Sequence, residues 1–177
     1  MKQTEAIKCL TQFDKKGRYV FTANDLANVF PGETDRALQA SLQRLSSAGI
    51  LERPVKGVYV YALSRHKGAN TLELVAKTLR RGEYSYISLE SALSEYGVIS
   101  QIPVGRMTVM TTGRKGEYKT PYGTIEFVHT KREVSDILQS VTDRDRPLRI
   151  ATKATALRDL KRVGRNTHLI DYEEVDG

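Results

Sequence analysis

The sequence contains only one cysteine and no long apolar run. The first excludes a protein held together by internal disulfides, and the second excludes one that spans a membrane by a helix. Cys9 cannot form a disulfide within the chain, and such a composition is typical of the reducing cytoplasm. No stretch approaches the roughly 18 consecutive apolar residues that a membrane helix needs. The opening residues, MKQTEAIKCL, lack the apolar segment of a signal peptide. We therefore expect a cytoplasmic protein that does not enter a membrane.

The sequence also lacks the motifs of metal, nucleotide and nucleophile chemistry. Its three histidines, His66, His129 and His168, are far apart, and no spacing of cysteine, histidine and aspartate fits a zinc site. No phosphate-binding glycine loop occurs. Asp143 and Asp145 form the only D-x-D, but no Gly-Ser turn precedes them, and the surrounding TDRDRP indicates a loop. We expect no metal, no cofactor and no enzymatic activity.

Positive charge exceeds negative charge in this chain. The net charge is +7, and most of the excess lies in the first 68 residues. A small basic domain often has a polyanionic partner, usually a nucleic acid. Charge that only keeps the protein soluble is the other interpretation, and charge alone leaves both open.

The first 66 residues predict three helices followed by a β-hairpin. Apolar residues recur at helical spacing in 3–14, 22–30 and 34–48, and two short β-prone runs follow within 50–61. This order is that of a winged helix-turn-helix domain. In that fold the third helix enters the major groove of DNA, and the hairpin reaches phosphates or the minor groove.

Local signals mark the ends of these helices. Thr22 is a good N-cap, and Asp25 at the third helical position completes a capping box. Gly49 follows the third helix where a left-handed C-terminal residue is expected. The connector ERPVKG between the two β-prone runs is basic and predicts a hairpin tip that carries Arg53 and Lys56.

One side of the third helix carries amide and guanidinium groups and almost no carboxylate. Arginine pairs well with guanine and glutamine with adenine in the major groove. The candidate DNA-binding residues of the helix and hairpin are Thr34, Arg36, Gln39, Gln43, Arg44, Arg53 and Lys56. Winged-helix domains also dock proteins, and a polar helix face is often merely solvated, so the sequence alone leaves these alternatives open.

The polar stretch LSRHKGANT predicts a domain boundary near 66–70, followed by a mixed α/β domain over 70–177. The strands MTVMTT and TIEFVH flank GRKGEYK, which we interpret as a basic turn or an added short strand. Helices are predicted in REVSDILQSV, with Val134, Ile137, Leu138 and Val141 inward, and in ATKATALRDLKRV, with Ala156, Leu157, Leu160 and Val163 inward.

The second of those helices carries a candidate second basic surface. Its members are Lys153, Arg158, Lys161, Arg162 and Arg165. Such a block suits a second stretch of DNA, an RNA or an acidic protein face, and a solvated basic helix is the plain alternative. The acidic tail DYEEVDG is expected to screen part of it.

Residues 85–103, SYISLESALSEYGVISQIP, raise the question of a catalytic serine. Ser88 fits an N-cap and Glu90 fits the first turn of a helix that ends at Gly97, with Pro103 beyond. A serine nucleophile needs a positioned base, yet no histidine is nearby and no G-x-S-x-G elbow exists. We expect structural roles for these polar residues.

The same stretch carries a family resemblance. YISLESALSEYGVISQIP, with its S-A-L-x-x-Y-G core, resembles the signature of the AbiEi-type antitoxins, the DNA-binding halves of bacterial type IV toxin–antitoxin (abortive infection) modules. The resemblance continues through RMTVMTTGRKGEYKTPYGTIEFVHT and back over the winged helix, so that it covers most of the chain.

This resemblance implies a DNA-binding antitoxin with two domains. The winged helix is expected to repress its own operon by binding inverted repeats in double-stranded promoter DNA. The second domain is expected to counteract a nucleotidyltransferase-like toxin without a stable complex between them. The alternative is a winged-helix transcriptional regulator whose second domain senses a ligand or docks a partner.

Overall fold

The computed structural model describes residues 1–100 and 104–176 and has a mixed α+β fold. Pro103, expected beyond the end of a helix, lies outside the described residues. The chain divides into two compact units, Met1–Leu79 and Arg80–Gly177. Within the described ranges, no helix has the length and apolar character that crossing a bilayer requires.

The first unit consists of four helices and three strands. They are α1 (Gln3–Lys15), β1 (Val20–Thr22), α2 (Ala23–Val29), α3 (Asp35–Ser47), β2 (Leu51–Val55), β3 (Val58–Tyr61) and α4 (Thr71–Leu79). β3 lies between β1 and β2 and pairs antiparallel with both. The helices α1, α2 and α3 are followed by the hairpin of β2 and β3, in the order that the sequence predicts.

The caps of α2 and α3 form as the sequence predicts. Thr22 Oγ1 accepts a hydrogen bond from the Asp25 N–H at 3.1 Å, and the Asp25 carboxylate accepts one from the Thr22 N–H at 2.9 Å. Gly49, at φ +76°, ends α3, and the Ile50 N–H then donates to the Leu45 carbonyl at 3.0 Å. This Schellman arrangement turns the chain sharply from α3 into β2.

The core of the first unit lies between its helices and the sheet. Of the residues predicted to face inward from α3, Leu38, Leu42 and Leu45 are buried, whereas Ala37 is only half-buried. Every other element of the unit also contributes buried apolar side chains. Those that precede β3 include Ala6, Leu10, Phe21, Leu26, Val29, Ile50 and Leu51. Burial of one side of α3 fixes which side faces solvent.

The boundary between the units lies later than the sequence predicts. The prediction placed it near 66–70, but α4 packs against β1 and β3 and belongs to the first unit. The Tyr19 hydroxyl is 3.0 Å from the Thr71 hydroxyl, so a hydrogen bond ties the start of α4 to the residues before β1. The polar segment before α4 is therefore a turn within the unit and does not separate domains.

The second unit alternates strands and short helices. The described strands and α-helices are β4 (Ser85–Ile87), α5 (Leu89–Glu95), β5 (Arg106–Thr111), β6 (Gly116–Thr120), β7 (Gly123–His129), α6 (Val134–Gln139), β8 (Val141–Thr142), β9 (Arg149–Ala151), α7 (Lys153–Val163) and α8 (Tyr172–Val175), with a 3-10 turn at Thr167–Leu169 between the last two. Of the two interpretations of GRKGEYK, the structure shows the added strand, because its second half forms most of β6.

These strands form one mixed sheet in the order β6-β7-β5-β4-β9-β8. β5 runs parallel to β7 and β4 parallel to β9, whereas the other neighbours are antiparallel. α5 packs against both α7 and β5. The helix pair thus covers the sheet beside its central strands.

The predicted inward residues of α6 are mostly wrong. Ile137 is buried, but Val134 and Leu138 are exposed, and Val141 lies in β8 instead. A helix of 6 residues presents little more than one turn to its neighbours, which leaves room for few inward positions. In α7, Ala156, Leu157 and Leu160 are buried as predicted, whereas Val163 at its end is exposed.

Candidate nucleic-acid interface

The solvent-facing side of α3 carries Arg36, Gln39 and Gln43, and all three are exposed. At 3.6 residues per turn their directions fall within an arc of about 60°. Ala40, also exposed, adds only a methyl group to this face. Asp35, in the first turn, is the only carboxylate of the helix. The structure therefore brings these three predicted residues together as one surface of hydrogen-bond donors and acceptors.

Arg44 lies apart from this surface. Its direction is about 100° from that of Gln43, because the two are adjacent in the helix. One guanidinium nitrogen donates to the Ser41 hydroxyl at 3.0 Å and to the Met1 carbonyl at 3.4 Å. Together with Gln3 and Leu45, these residues line a small cavity of about 110 Å³. Among the predicted contacts, Arg44 is thus the one whose guanidinium is held by Ser41 and the N-terminal Met1.

Thr34 has a structural role that the prediction did not assign. It is the N-cap of α3, and its hydroxyl oxygen accepts a hydrogen bond from the Ala37 N–H at 3.2 Å. The side chain is nevertheless exposed, and the hydroxyl proton remains available to donate. The N-terminus of α3 also concentrates the positive end of the helix dipole at this point.

The hairpin differs from its prediction at Arg53. β2 continues through Val55, so the connecting turn is only Lys56 and Gly57, and Arg53 lies within the strand rather than at the tip. The guanidinium of Arg53 lies 5.7 Å from the centre of the Tyr59 ring. This cation–π contact holds the charge along the hairpin flank. Lys56 is exposed in the turn, as predicted.

The predicted second basic surface is only partly formed. Arg165 donates to Glu90 at 2.8 Å and 3.1 Å and to Glu126 at 2.6 Å and 2.7 Å, so it is engaged by two carboxylates. Lys161 lies over the Tyr172 ring of α8. Arg162, like several positions of this helix, faces solvent.

The acidic tail lies against the same helix. Lys153 donates to the Glu174 carbonyl at 3.0 Å, so α8 contacts the start of α7. Arg158 is exposed. Of the five predicted members, Arg158, Lys161 and Arg162 are exposed, whereas Lys153 and Arg165 are half-buried, so the five do not form one continuous exposed surface.

The serine-rich stretch contributes to a buried polar network. Ser88 precedes α5 but makes no cap bond; its hydroxyl donates to Asp159 at 2.7 Å, and the Tyr86 hydroxyl donates to the same oxygen at 3.0 Å. Arg132 pairs with the other oxygen of Asp159 at 2.9 Å. Burial and the Asp159 charge raise the pKa of Tyr86 above its ordinary value. The contact with Asp159 replaces the N-cap bond that the sequence predicts for Ser88.

Asp159 itself is the residue that sequence reasoning missed. It is 1 % exposed, on the apolar side of α7 between Leu157 and Leu160. A lone carboxylate within an apolar stripe is the signal that would have identified it, because a buried charge requires a partner. A second such residue is Asp14 of α1, which accepts hydrogen bonds from Ser64 and from the Arg65 N–H.

His66 belongs to that second cluster. Its Nδ1 lies 3.2 Å from Asp14, and its ring stacks on Tyr19. Although burial opposes ionisation of Asp14, the bonds from Ser64 and the following residues outweigh it and keep the pKa of Asp14 low. In the part of the chain that the structure describes, no group of three or more histidine, cysteine or acidic residues is arranged to bind a metal.

Comparison with known proteins gives a structural relative. No family model matches the sequence, and no curated protein sequence is significantly similar to it. The fold is similar to the crystal structure of the RV2827C protein from Mycobacterium tuberculosis, with a TM-score of 0.59 and 16% identity. The match covers 89% of this chain and 60% of that one. At this identity the likeness concerns the fold alone.

Proposed function

We propose that the chain is a winged-helix DNA-binding protein that acts as the antitoxin of a type IV toxin–antitoxin module. The first unit would repress its own operon by binding inverted repeats in the promoter. The second unit would counteract a nucleotidyltransferase-like toxin, as the resemblance to the AbiEi-type antitoxins implies. Neither role needs a cofactor or a catalytic residue of this chain.

One observation carries the DNA-binding part of the proposal. Arg36, Gln39 and Gln43 form an exposed surface on α3 that contains no carboxylate of its own. Amide and guanidinium groups at this spacing match the donor and acceptor pattern of base edges in the major groove. A helix about 10–12 Å across fits a groove about 12 Å wide.

The hairpin supports the same interpretation. Lys56 at the turn and Arg53 on the flank supply positive charge beside α3, where a wing contacts the phosphate backbone. Phosphate contacts supply affinity and a steep dependence on salt, whereas base contacts supply discrimination between sequences. The two elements therefore divide affinity and specificity between them.

A double substitution tests the division of labour between the two units. Arg36→Ala with Gln39→Ala should abolish binding to the chain's own upstream DNA in a gel shift, because each good bidentate base contact contributes about 1–3 kcal/mol. The same variant should still rescue growth from the neighbouring toxin at matched protein levels. Lys8→Ala with Gln12→Ala, two exposed positions of α1, is the matched control and should leave both activities intact.

Two results would count against the proposal. Unchanged DNA binding by the α3 variant would show that this surface does not read DNA. Loss of rescue by the variant would show that the two activities do not lie on separate units. Operator affinity that changes with a small ligand, without rescue, would favour the alternative of a winged-helix regulator with a sensing domain.

A further inference from the structure

β6 is an open edge of the sheet in the second unit. It is the outermost strand, and its pairing with β7 is regular from Gly116 to Thr120. Among the described residues no strand covers its other side. An extended edge without a bulge or an internal proline is a template for another strand. The opposite edge, β8, has only 2 residues and offers no comparable template.

The turn into β7 determines which backbone groups of β6 face outward. Thr120 pairs with Gly123, so the loop has two residues, and the pair that closes such a loop is hydrogen-bonded. Hydrogen-bonded and non-hydrogen-bonded pairs alternate along an antiparallel ladder. Glu117 and Lys119 are therefore the residues whose N–H and C=O groups point away from β7.

The side chains of these two residues are exposed and opposite in charge. Glu117 and Lys119 lie on one face of the strand, in the alternating burial pattern of β6. Tyr118 between them points to the other face, where its ring meets Phe127 edge-on and its hydroxyl accepts a hydrogen bond from Arg80 at 2.9 Å. Three successive residues of this edge strand, Glu117, Tyr118 and Lys119, are therefore acidic, aromatic and basic.

We propose that two copies of the chain associate through β6, as antiparallel strands related by a two-fold axis at Tyr118. In this register Glu117 lies opposite Lys119 of the second copy, and Lys119 lies opposite Glu117 of the second copy. One symmetric arrangement therefore pairs all the outward backbone groups of these two residues and both sets of charges. The two sheets become one continuous sheet.

The charges also exclude the neighbouring registers. If one strand shifts by two residues in one direction, Glu117 lies opposite Glu117 of the second copy. A shift of two residues in the other direction places Lys119 opposite Lys119 of the second copy. Like charges directly opposite each other destabilise a strand pair. The association does not depend on the proposed DNA contacts, because β6 belongs to the second unit and those contacts to the first.

Charge reversal tests the pairing. Sedimentation equilibrium of the full chain should show a reversible monomer–dimer equilibrium. Glu117→Lys and Lys119→Glu should each weaken the dimer about tenfold or more, because each substitution places like charges opposite in two symmetric pairs. Lys115→Glu makes the same charge change as Lys119→Glu at an exposed position outside the paired strand, and should have little effect.

Mixing the variants separates pairing from damage to the fold. Glu117 also accepts a hydrogen bond from Arg106 at 3.1 Å, so its substitution alters the monomer as well. A 1:1 mixture of Glu117→Lys and Lys119→Glu chains should restore dimers, because every pair across the edge is again opposite in charge. A chain that is monomeric at all concentrations, or a mixture that fails to associate, would overturn the proposal.

Cysteine cross-linking tests the register. In a Cys9→Ser background, Glu117→Cys chains mixed with Lys119→Cys chains should form disulfide dimers on oxidation. Each variant alone should cross-link poorly. In the proposed register the two residues 117 are diagonal neighbours and do not face each other, so their Cα atoms are farther apart than the roughly 4.4–6.8 Å that a disulfide spans. Equal cross-linking in the single-variant samples would contradict a two-fold axis at Tyr118.

Discussion

The Ser88 hydroxyl donates a hydrogen bond to the Asp159 carboxylate at 2.7 Å, inside the second unit. This contact connects the segment between β4 and α5 with the apolar side of α7. Arg132, in the loop that follows β7, balances the negative charge of Asp159, and the paired atoms are 2.9 Å apart. Three segments far apart in sequence therefore meet at a single carboxylate, which makes Asp159 the polar centre of the unit.

Removing that carboxylate should destabilise the second unit strongly. Asp159→Ala leaves the Arg132 guanidinium, whose side chain is 10 % exposed, without its partner. Breaking a buried ion pair by removing one member costs about 3–5 kcal/mol. Urea unfolding followed by circular dichroism measures the loss. Asp136→Ala, at an exposed position of α6, is the control and should change stability by about 0.5 kcal/mol or less. Equal effects of the two substitutions would contradict this role for Asp159.

The contact between Arg165 and Glu126 should make stability depend on pH. The hydrogen bonds from Arg165 hold the pKa of Glu126 below its ordinary value of 4.5, although burial opposes them. A carboxyl with a lowered folded-state pKa contributes stability above its unfolded pKa, and this contribution is lost as the pH falls through the folded pKa. Arg165→Gln should therefore be less stable than the wild type at neutral pH, with a smaller difference in acid.

Unfolding free energies of both proteins, measured from about pH 7 to pH 3, check this expectation. The lowered pKa of Asp14 affects both proteins equally and cancels in the comparison. Two curves that remain parallel across the acid range would show that Arg165 does not set the pKa of Glu126.

The cap at Thr34 predicts separable effects on stability and binding. Thr34→Ala should cost about 1 kcal/mol of stability, because the Ala37 N–H loses its acceptor, whereas Thr34→Ser should retain the cap. Thermal unfolding distinguishes the two variants. If the hydroxyl serves only as a cap, both variants should bind DNA equally once folded. Weaker binding by folded Thr34→Ala than by Thr34→Ser would assign Thr34 a contact of its own.

Much of the first unit was predictable because its signals are local. The Thr22–Asp25 capping box and the left-handed Gly49 lie within a few residues of the ends that they define. Apolar spacing in α3 likewise identified its buried side and, by exclusion, the exposed residues Arg36, Gln39 and Gln43. Periodicity of this kind depends only on helix geometry, which is the same in every fold.

The second unit was less predictable because its polar contacts are between distant residues. Arg165 was expected in solvent, but Glu90 and Glu126, from α5 and β7, engage it. Arg165 follows the left-handed Gly164, beyond the end of α7, so helical spacing carries no information about which element lies against it. The same limit applies to Arg53, whose position within β2 depends on how far the hairpin pairing extends.

Salt dependence should separate the hairpin from α3. If Lys56 contacts a phosphate, Lys56→Ala should weaken binding to all DNA sequences alike and reduce the slope of log affinity against log salt by about 1. Gln43→Ala, if Gln43 reads a base, should leave the slope unchanged and relax the preference at one position of the site. Fluorescence anisotropy across roughly 50–200 mM salt, with the operator and one scrambled duplex, measures both quantities. Lys8→Ala removes the same charge from α1, and an equal change of slope in that variant would show that Lys56 acts only through the net charge of the chain.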